Sequence, residues 1–294
     1  MFRTLISATD LLALTSRSAD SNNLVLLDCS FDLVDPAAGE RAYAEAHLPG
    51  AFHAHLERDL CGAKTGKNGR HPLPARAAFA ERVGAWGIGP ATQVVAYDAQ
   101  GGPAAARAWW MLRWLGHEAV AVLDGGIAAW RAAGGKLESA RPEVKAPAPY
   151  PMSAEGAAGA SMPVIDAEGL AARLSPGAAC LVDARAPERF RGDVEPLDPV
   201  AGHIPGAINR FFKDNLGADG RFKPAATLRA EFAALGIDDM GQDPALPVVH
   251  YCGSGVTAAH NLLAMVHAGW PDTVLYPGSW SEWCAEPTRP TARG

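Results

Sequence analysis

Cysteine is scarce in this sequence and never occurs in closely spaced pairs. The 294 residues include five cysteines, and no two of them form a CxxC motif. The odd number and the wide spacing argue against a disulfide framework and against a zinc site. The thiols are therefore expected to be reduced, and a reactive one among them is the first feature to look for.

Long apolar runs and an excess of basic charge are also missing. The stretch MFRTLISATDLLALTSRSAD interrupts its short apolar segments with Ser, Thr and Asp, so it matches neither a secretory signal nor a membrane span. The net charge of -6 offers no general attraction to nucleic acid or anionic lipid, although it does not exclude a local basic pocket. We expect a cytoplasmic protein with small molecules or proteins as partners, and no metal or organic cofactor.

The two halves of the chain repeat the same series of motifs. LVLLD ending at Asp28 is followed by AHLPGAF, and CLVD ending at Asp183 is followed by GHIPGAI. VVAYDAQGGP from Val94 corresponds in the same way to VVHYCGSGVT from Val248. Such self-similarity predicts two copies of one structural unit.

Prolines and small residues separate the halves. Residues 134–163 are rich in both, a composition typical of an extended linker. We place a first domain at 1–135, a linker at 136–163 and a second domain at 164–294. Within each half, short Val- and Leu-rich runs alternate with segments whose apolar residues lie three or four apart. This alternation predicts an α/β fold with a mostly parallel sheet covered by helices.

The most informative segment follows one of these runs in the second half. Val248–Tyr251 is interpreted as a buried strand, Cys252 follows it, and a helical pattern begins near Val256 or Thr257. Sites in parallel α/β folds form beyond the carboxyl ends of the strands, so Cys252 lies where a site is expected. Four other cysteines lack this setting and are interpreted as structural: Cys29, Cys61, Cys180 and Cys284.

The loop after Cys252 has the composition of an anion cradle. Gly253 and Gly255 permit backbone conformations in which several N–H groups point inward. The following helix adds free N–H groups and the positive end of its dipole, which favour a thiolate at Cys252. The same donors can stabilise a persulfide, and the hydroxyls of Ser254 and Thr257 can bond to it or cap the helix. A cysteine buried only for packing is the alternative, and the glycines favour the site.

Together these motifs resemble those of tandem-domain rhodanese-like sulfurtransferases. CGSGVTA is similar to the active-site loop of the 3-mercaptopyruvate sulfurtransferase branch; AHLPGA and GHIPGA resemble the family's early motif, and GSWSEW its closing one. The resemblance covers nearly the whole chain. It implies two rhodanese-like domains, each a mostly parallel sheet flanked by helices, of which only the second is catalytic. Cys252 would accept sulfur as a persulfide and pass it to cyanide or to a thiol, such as a thioredoxin or a small thiol.

In the first half, Asp98 takes the place of that cysteine. A carboxylate cannot carry sulfane sulfur, so the expected role of Asp98 is to cap a helix.

The resemblance also indicates residues that bind the sulfur donor. The family's arginine for the substrate anion corresponds to Arg189 in DARAPERFRG, and a planar guanidinium suits a carboxylate or thiosulfate. The second arginine of mercaptopyruvate enzymes is absent, because EPLDPV has Leu197 at that place; Arg210 is a candidate to supply the charge. Arg185 and Arg191 are interpreted as surface residues or as partners of nearby carboxylates.

Some members of the family combine the loop serine with a histidine and an aspartate from the first domain. His71 in GRHPLP matches the histidine and is a candidate site residue, with a surface position as the alternative. His55 stands nearest to the expected aspartate, so a complete relay with Ser254 is not predicted.

Three alternatives concern the reaction itself. Thiosulfate enzymes have basic residues after the cysteine, as in CRKGVT; this loop has none, so the monoanion 3-mercaptopyruvate is favoured over thiosulfate as donor. A cysteine phosphatase is disfavoured, because its arginine six positions after the cysteine corresponds to Ala258. A persulfide carrier or binding module remains the non-catalytic alternative.

Overall fold

The computed structural model describes residues 1–16, 23–143, 148–152, 162–174, 178–237, 247–271 and 273–294. The chain divides into two compact units. The first unit comprises Met1–Cys61, Pro74–Ser161 and Ala218–Arg221; the second unit comprises Gly62–Leu73, Met162–Gly217 and Phe222–Gly294. Residues 62–73, which a boundary at 135 assigns to the first domain, therefore pack with the second unit. Residues 144–147 and 153–161 of the predicted linker lie outside the described residues.

A parallel sheet forms the centre of the first unit. Its order is β1-β5-β4-β2-β3, and all of its strand pairs are parallel. The strands are β1 Leu5–Ile6, β2 Leu24–Asp28, β3 Phe52–His53, β4 Gln93–Tyr97 and β5 Val120–Leu123. The helices of this unit are Ala8–Ser16, Ala38–Glu45, Leu56–Asp59, Arg76–Ala85, Pro103–Trp114 and Gly126–Ala132.

The second unit has a smaller parallel sheet of the same kind. Its order is β7-β6-β8-β9, again with parallel pairs throughout. The strands are β6 Cys180–Asp183, β7 Ile208–Asn209, β8 Val248–Tyr251 and β9 Val274–Leu275. The helices are Ala167–Ala171, Pro187–Arg191, Ala225–Ala233, Ala258–His267 and Ser279–Trp283, with a 3-10 helix at Phe212–Asn215.

Both faces of the second sheet are covered, which explains why most of its strand positions are apolar. Val248 on β8 packs in one core cluster with Met265 and Trp270. Its neighbour Val249 packs in a different cluster with Trp280. Because successive strand residues point to opposite faces, each face has its own core. The predicted α/β fold with parallel sheets is confirmed.

The sequence repeat has a structural counterpart. His47 in the first unit is buried, with Nδ1 2.6 Å from the carbonyl oxygen of Tyr43 and its ring stacked on Tyr43 at 4.0 Å. His203 in the second unit lies 2.8 Å from the carbonyl oxygen of Phe190 and stacks on Phe190 at 3.9 Å. The two histidines of the HLPG and HIPG motifs therefore perform the same packing role in each unit.

A buried histidine on β8 makes the second unit sensitive to acid. His250 is fully buried, its Nε2 lies 3.1 Å from the sulfur of Met265, and burial lowers its pKa to about 3 from an ordinary value of 6.5. The unfolded chain binds this proton below about pH 6.5 and the folded chain does not until about pH 3. Stability is therefore expected to fall as the pH falls through this window, on the order of 1 kcal/mol per pH unit.

Replacing His250 by Leu should remove that part of the acid sensitivity. Lowering the pH from about 6.5 to about 5 is expected to reduce the free energy of unfolding of the wild type by about 2 kcal/mol more than that of the His250→Leu variant. Urea unfolding at both pH values measures the difference. The first half has Ala96 at the equivalent position, so His250→Ala provides a second variant. Equal acid sensitivity of all three proteins would contradict this account.

Candidate functional site

The sulfur of Cys252 sits in a cradle of backbone N–H groups directly after β8. Its Sγ accepts hydrogen bonds from the N–H of Gly255 at 3.1 Å and of Ser254 at 3.5 Å. Only 1% of the residue is exposed. Donors that converge on a buried sulfur stabilise a negative charge there, either as a thiolate or as a persulfide.

Gly255 is required by the shape of this loop. Its φ is +80°, and a Cβ atom at this position would lie 2.3 Å from the carbonyl oxygen of Pro277. Both the left-handed backbone and the close approach exclude a side chain. The curl that presents the Gly255 N–H to the sulfur therefore depends on glycine.

The GSWSEW segment holds the loop in place from the other side. Ser279 Oγ accepts a hydrogen bond from the Cys252 N–H at 3.1 Å. The N–H of Trp280 donates to the Cys252 carbonyl oxygen at 2.9 Å, and that of Ser281 to the Gly253 carbonyl oxygen at 3.0 Å. Ser279 adopts the left-handed region with φ +55°, which is uncommon for a residue other than glycine. The closing motif thus fixes the backbone on which the cysteine stands.

The helix after the loop begins at Ala258, with Thr257 at its N-cap position and no side-chain capping bond. Of the two hydroxyls that the sequence singles out, Ser254 makes the notable contact: its Oγ lies 2.7 Å from His71 Nδ1. Both residues are buried, at 5% and 4% exposure. His71 is therefore no surface residue; it belongs to the segment 62–73 of the second unit.

His55, the nearest equivalent of the expected aspartate, has a different role. Its Nδ1 accepts hydrogen bonds from the N–H groups of Glu57 and Arg58, so it caps the helix Leu56–Asp59 of the first unit. Burial lowers the pKa of His55, which favours the neutral ring that capping requires.

Arg189 lies at the loop, as the family resemblance implies. Its Nη2 donates to Glu195 at 2.6 Å and lies 3.4 Å from Asp198. A Cβ atom placed on Gly253 would lie 3.4 Å from Arg189 Nη1. The Arg189 side chain is 18% exposed.

Sequence reasoning missed a second arginine at the same place. Arg70 forms an ion pair with Asp198, and its Nη2 would lie 2.8 Å from a Cβ atom on Gly253. Its side chain is 28% exposed. The sequence gives one weak signal for it, the position next to His71 in GRHPLP, and no local pattern links that segment to the loop.

Two acidic side chains hold these arginines. Burial acts to raise the pKa of Glu195, but the hydrogen bond from Arg189 and the N–H groups of Leu197 and Asp198 hold it below its usual value. Burial raises the pKa of Asp198, and the hydrogen bond from Arg70 opposes that shift. These two carboxylates fix the positions of the Arg189 and Arg70 guanidinium groups.

The other candidate arginines have partners elsewhere. Arg210 bonds to Glu231 at 2.6 Å and to Asn215 at 3.1 Å, and the structure gives it no described contact with residues 252–257. Leu197 is 47% exposed. Arg185 pairs with Asp183 as expected, but it is buried rather than at the surface; the exposed Arg191 pairs with Asp193.

The equivalent loop of the first unit is filled by its own carboxylate. Asp98 accepts hydrogen bonds from the N–H groups of four residues: Gln100, Gly102, Ala104 and Ala105. Burial nevertheless raises the pKa of Asp98. The side chain caps the helix Pro103–Trp114, as its sequence position predicts.

Burial keeps three other thiols protonated. It raises the pKa of Cys284 to about 11 and raises those of Cys29 and Cys180 as well. These three thiols stay protonated at neutral pH and suit a structural role.

Taken together, the fold and the site define a two-domain α/β protein in which one unit presents a thiol in an anion cradle and the other a carboxylate. The chain belongs to the rhodanese-like family, because the family model described as "Rhodanese-like domain" matches residues 11–133 and 166–286.

Relatives and solved structures agree with this assignment. A probable 3-mercaptopyruvate sulfurtransferase of Pseudomonas aeruginosa is 50% identical over 274 residues, which are 92% of this chain and 93% of the relative. The 3-mercaptopyruvate sulfurtransferase of Homo sapiens is 39% identical, with 88% and 84% covered. The structure of 3-mercaptopyruvate sulfurtransferase from Leishmania major matches with a TM-score of 0.77 and 28% identity, covering 96% of this chain and 74% of that one.

These matches confirm the prediction of a tandem rhodanese-like sulfurtransferase, an enzyme with a sulfur donor and a sulfur acceptor. Within the described ranges, no helix is long and apolar enough to cross a membrane. The same ranges contain no group of three or more His, Cys, Asp or Glu side chains placed to hold a metal ion.

Proposed function

We propose that the protein transfers the sulfur atom of 3-mercaptopyruvate, through a persulfide on Cys252, to a thiol acceptor. The observation that carries this proposal is the position of the Cys252 sulfur under two backbone N–H groups, with the guanidinium of Arg189 beside the next residue, Gly253. Such a cradle stabilises the anions at both ends of the reaction, the thiolate before it and the persulfide after it.

In the first half-reaction the Cys252 thiolate attacks the sulfur of the donor. A sulfur–sulfur bond forms and the bond between sulfur and carbon breaks, with its electron pair left on the carbon as the enolate of pyruvate. Arg189 holds the carboxylate of the donor through the guanidinium end that faces Gly253. This orientation brings the donor sulfur to Cys252.

The enolate then needs a proton to become pyruvate. Ser254 donates its N–H to the Cys252 sulfur, and its hydroxyl is in hydrogen-bond contact with the buried His71, so the two side chains are suited to stabilise the enolate oxygen and to deliver that proton.

In the second half-reaction a thiol takes the outer sulfur. The acceptor thiolate attacks the outer atom of the persulfide, the sulfur–sulfur bond breaks, and Cys252 regains its thiolate. A small thiol or a thioredoxin fits this step, and cyanide can substitute for it by forming thiocyanate. The cycle requires no cofactor and predicts ping-pong kinetics.

The charge balance at the loop favours a monoanionic donor over thiosulfate. The positive charges of Arg70 and Arg189 are offset by Glu195 and Asp198, which pair with them. A dianion therefore gains little from the site as a whole, whereas one carboxylate can bind to the guanidinium groups locally.

The ratio of kcat/KM for the two donors tests the proposal. The purified protein is assayed with 3-mercaptopyruvate and with thiosulfate, with cyanide as the common acceptor and thiocyanate as the product measured. We expect a preference for 3-mercaptopyruvate. A preference for thiosulfate would overturn the donor assignment, and no turnover with either donor would favour a persulfide carrier.

Replacing Arg189 by Met should weaken donor binding without slowing the chemistry greatly. Loss of one charged hydrogen-bonding partner is expected to raise KM for 3-mercaptopyruvate about 10- to 100-fold, with kcat within about threefold of the wild type. Arg191→Met is the matched control, because Arg191 lies on the same helix, is half exposed and pairs with Asp193. An unchanged KM in Arg189→Met would remove Arg189 from the site.

A further inference from the structure

We propose that Arg70 is the second ligand of the donor carboxylate and supplies the charge that Leu197 does not. This inference rests on the proposed function, because it names a specificity residue for the same reaction. Arg70 comes from the segment 62–73, far in sequence from the loop that it serves, and it lies within the second unit.

The backbone of Arg70 is fixed against the closing motif. Its N–H donates to Ser281 Oγ at 3.0 Å. Gly69 before it has φ +81°, and a Cβ atom there would lie 2.7 Å from the carbonyl oxygen of Gly278. The segment therefore packs closely enough on Gly278 and Ser281 that the start of the Arg70 side chain has a defined position.

The guanidinium groups of Arg70 and Arg189 both lie next to Gly253, and each has an N–H donor there that is available to a ligand. Arg70 uses Nη1 for Asp198, and Arg189 uses Nε and Nη2 for its acidic partners. Among the described residues, neither Arg70 Nη2 nor Arg189 Nη1 has a hydrogen-bond partner. These same two atoms lie closest to the place of a Gly253 Cβ. A carboxylate has two oxygens to accept from them.

A shared carboxylate orients the pair. One oxygen of Asp198 contacts Arg70 and the other lies 3.4 Å from Arg189, and the Asp198 side chain is only 3% exposed. This anchor lowers the entropy lost when the arginines bind a donor, since both are already held. It also keeps two like charges next to each other before the donor arrives.

Gly253 leaves the space that Arg70 occupies. A side chain there would meet Arg70 Nη2 at 2.8 Å, and the obstacle is the end of a flexible side chain rather than backbone. Gly253→Ala should therefore displace the guanidinium with little effect on folding. The position of the Arg70 guanidinium therefore depends on the absence of a side chain at Gly253.

Arg70→Met is the direct test, with the two half-reactions measured separately. Loading of Cys252 by 3-mercaptopyruvate should require an about 10- to 100-fold higher donor concentration for half-saturation. Unloading of the preformed persulfide by 2-mercaptoethanol, a neutral thiol, should stay within about twofold of the wild type. Arg70→Lys keeps the charge but loses the planar guanidinium, so its half-saturating donor concentration should lie between those of the wild type and Arg70→Met. Arg191→Met again serves as the control.

A double-mutant cycle separates a binding role from a structural one. Gly253→Ala should raise the half-saturating donor concentration in the wild type but add less than about twofold in the Arg70→Met background, because both act through one guanidinium. Unchanged loading in Arg70→Met, or equal losses in loading and unloading, would overturn the inference. If the wild type did not load from 3-mercaptopyruvate at all, the proposed function would fail first, so the two failures are distinguishable.

Discussion

Serine in place of Cys252 is expected to lower kcat/KM for sulfur transfer by at least about 10³-fold, because the hydroxyl is neither ionised at neutral pH nor able to form a persulfide. The N–H groups of Ser254 and Gly255 would remain in place, since the loop is held by the backbone bonds to Trp280 and Ser281. The fold should therefore be retained. Thiocyanate formation and the melting temperature measure the two parts of this prediction.

Cys180→Ser is the control for that experiment. Cys180 is buried at the start of β6, and burial raises the pKa of its thiol, so it should be dispensable for turnover even if the buried hydroxyl costs about 1–2 kcal/mol of stability. Turnover that survives in Cys252→Ser and disappears in Cys180→Ser would place the chemistry on another thiol.

A methyl group at Gly255 should cost nearly as much activity while leaving every reacting group in the protein. Gly255→Ala cannot keep φ +80° next to the Pro277 carbonyl oxygen without strain, so the loop must shift and the N–H donor to the Cys252 sulfur is lost. Removing one donor of this kind typically lowers kcat about 10²- to 10³-fold. Steady-state kinetics with 3-mercaptopyruvate measure the loss.

Gly236→Ala is the control for the general cost of placing a side chain on a residue with left-handed backbone. Gly236 has φ +81° in the same unit, and nothing lies within 4 Å of a Cβ atom there. It should lose about 1 kcal/mol of stability and no activity. If both glycine variants showed the same kinetics as the wild type, the cradle would not be what activates Cys252.

Local sequence was sufficient to predict the strand, loop and helix around Cys252. Val248–Tyr251 forms β8, Gly255 takes the left-handed conformation that the cradle needs, and the helix begins at Ala258. Each of these features depends on residues adjacent in the chain, so periodicity and glycine placement indicate them. The repeat likewise predicted the matching role of Asp98.

Features that depend on distant segments were not predictable in this way. Arg70 and His71 contact residues of the second unit that are far away in the chain. The hydrogen bond from the Cys252 N–H to Ser279 Oγ also joins separate segments. The candidate Arg210 illustrates the same limit, because its position after GHIPGAIN does not reveal the buried partner Glu231. Motif spacing reports local geometry, whereas these contacts are set by tertiary packing.

The most direct test of the central claim is intact-protein mass spectrometry after one equivalent of 3-mercaptopyruvate, with pyruvate measured in the same sample. We expect a mass increase of one sulfur atom, located on Cys252 by peptide mapping, together with one pyruvate per protein, and reversal of the mass change by a small thiol. Sulfur on another cysteine, or pyruvate released without any mass change, would contradict the account.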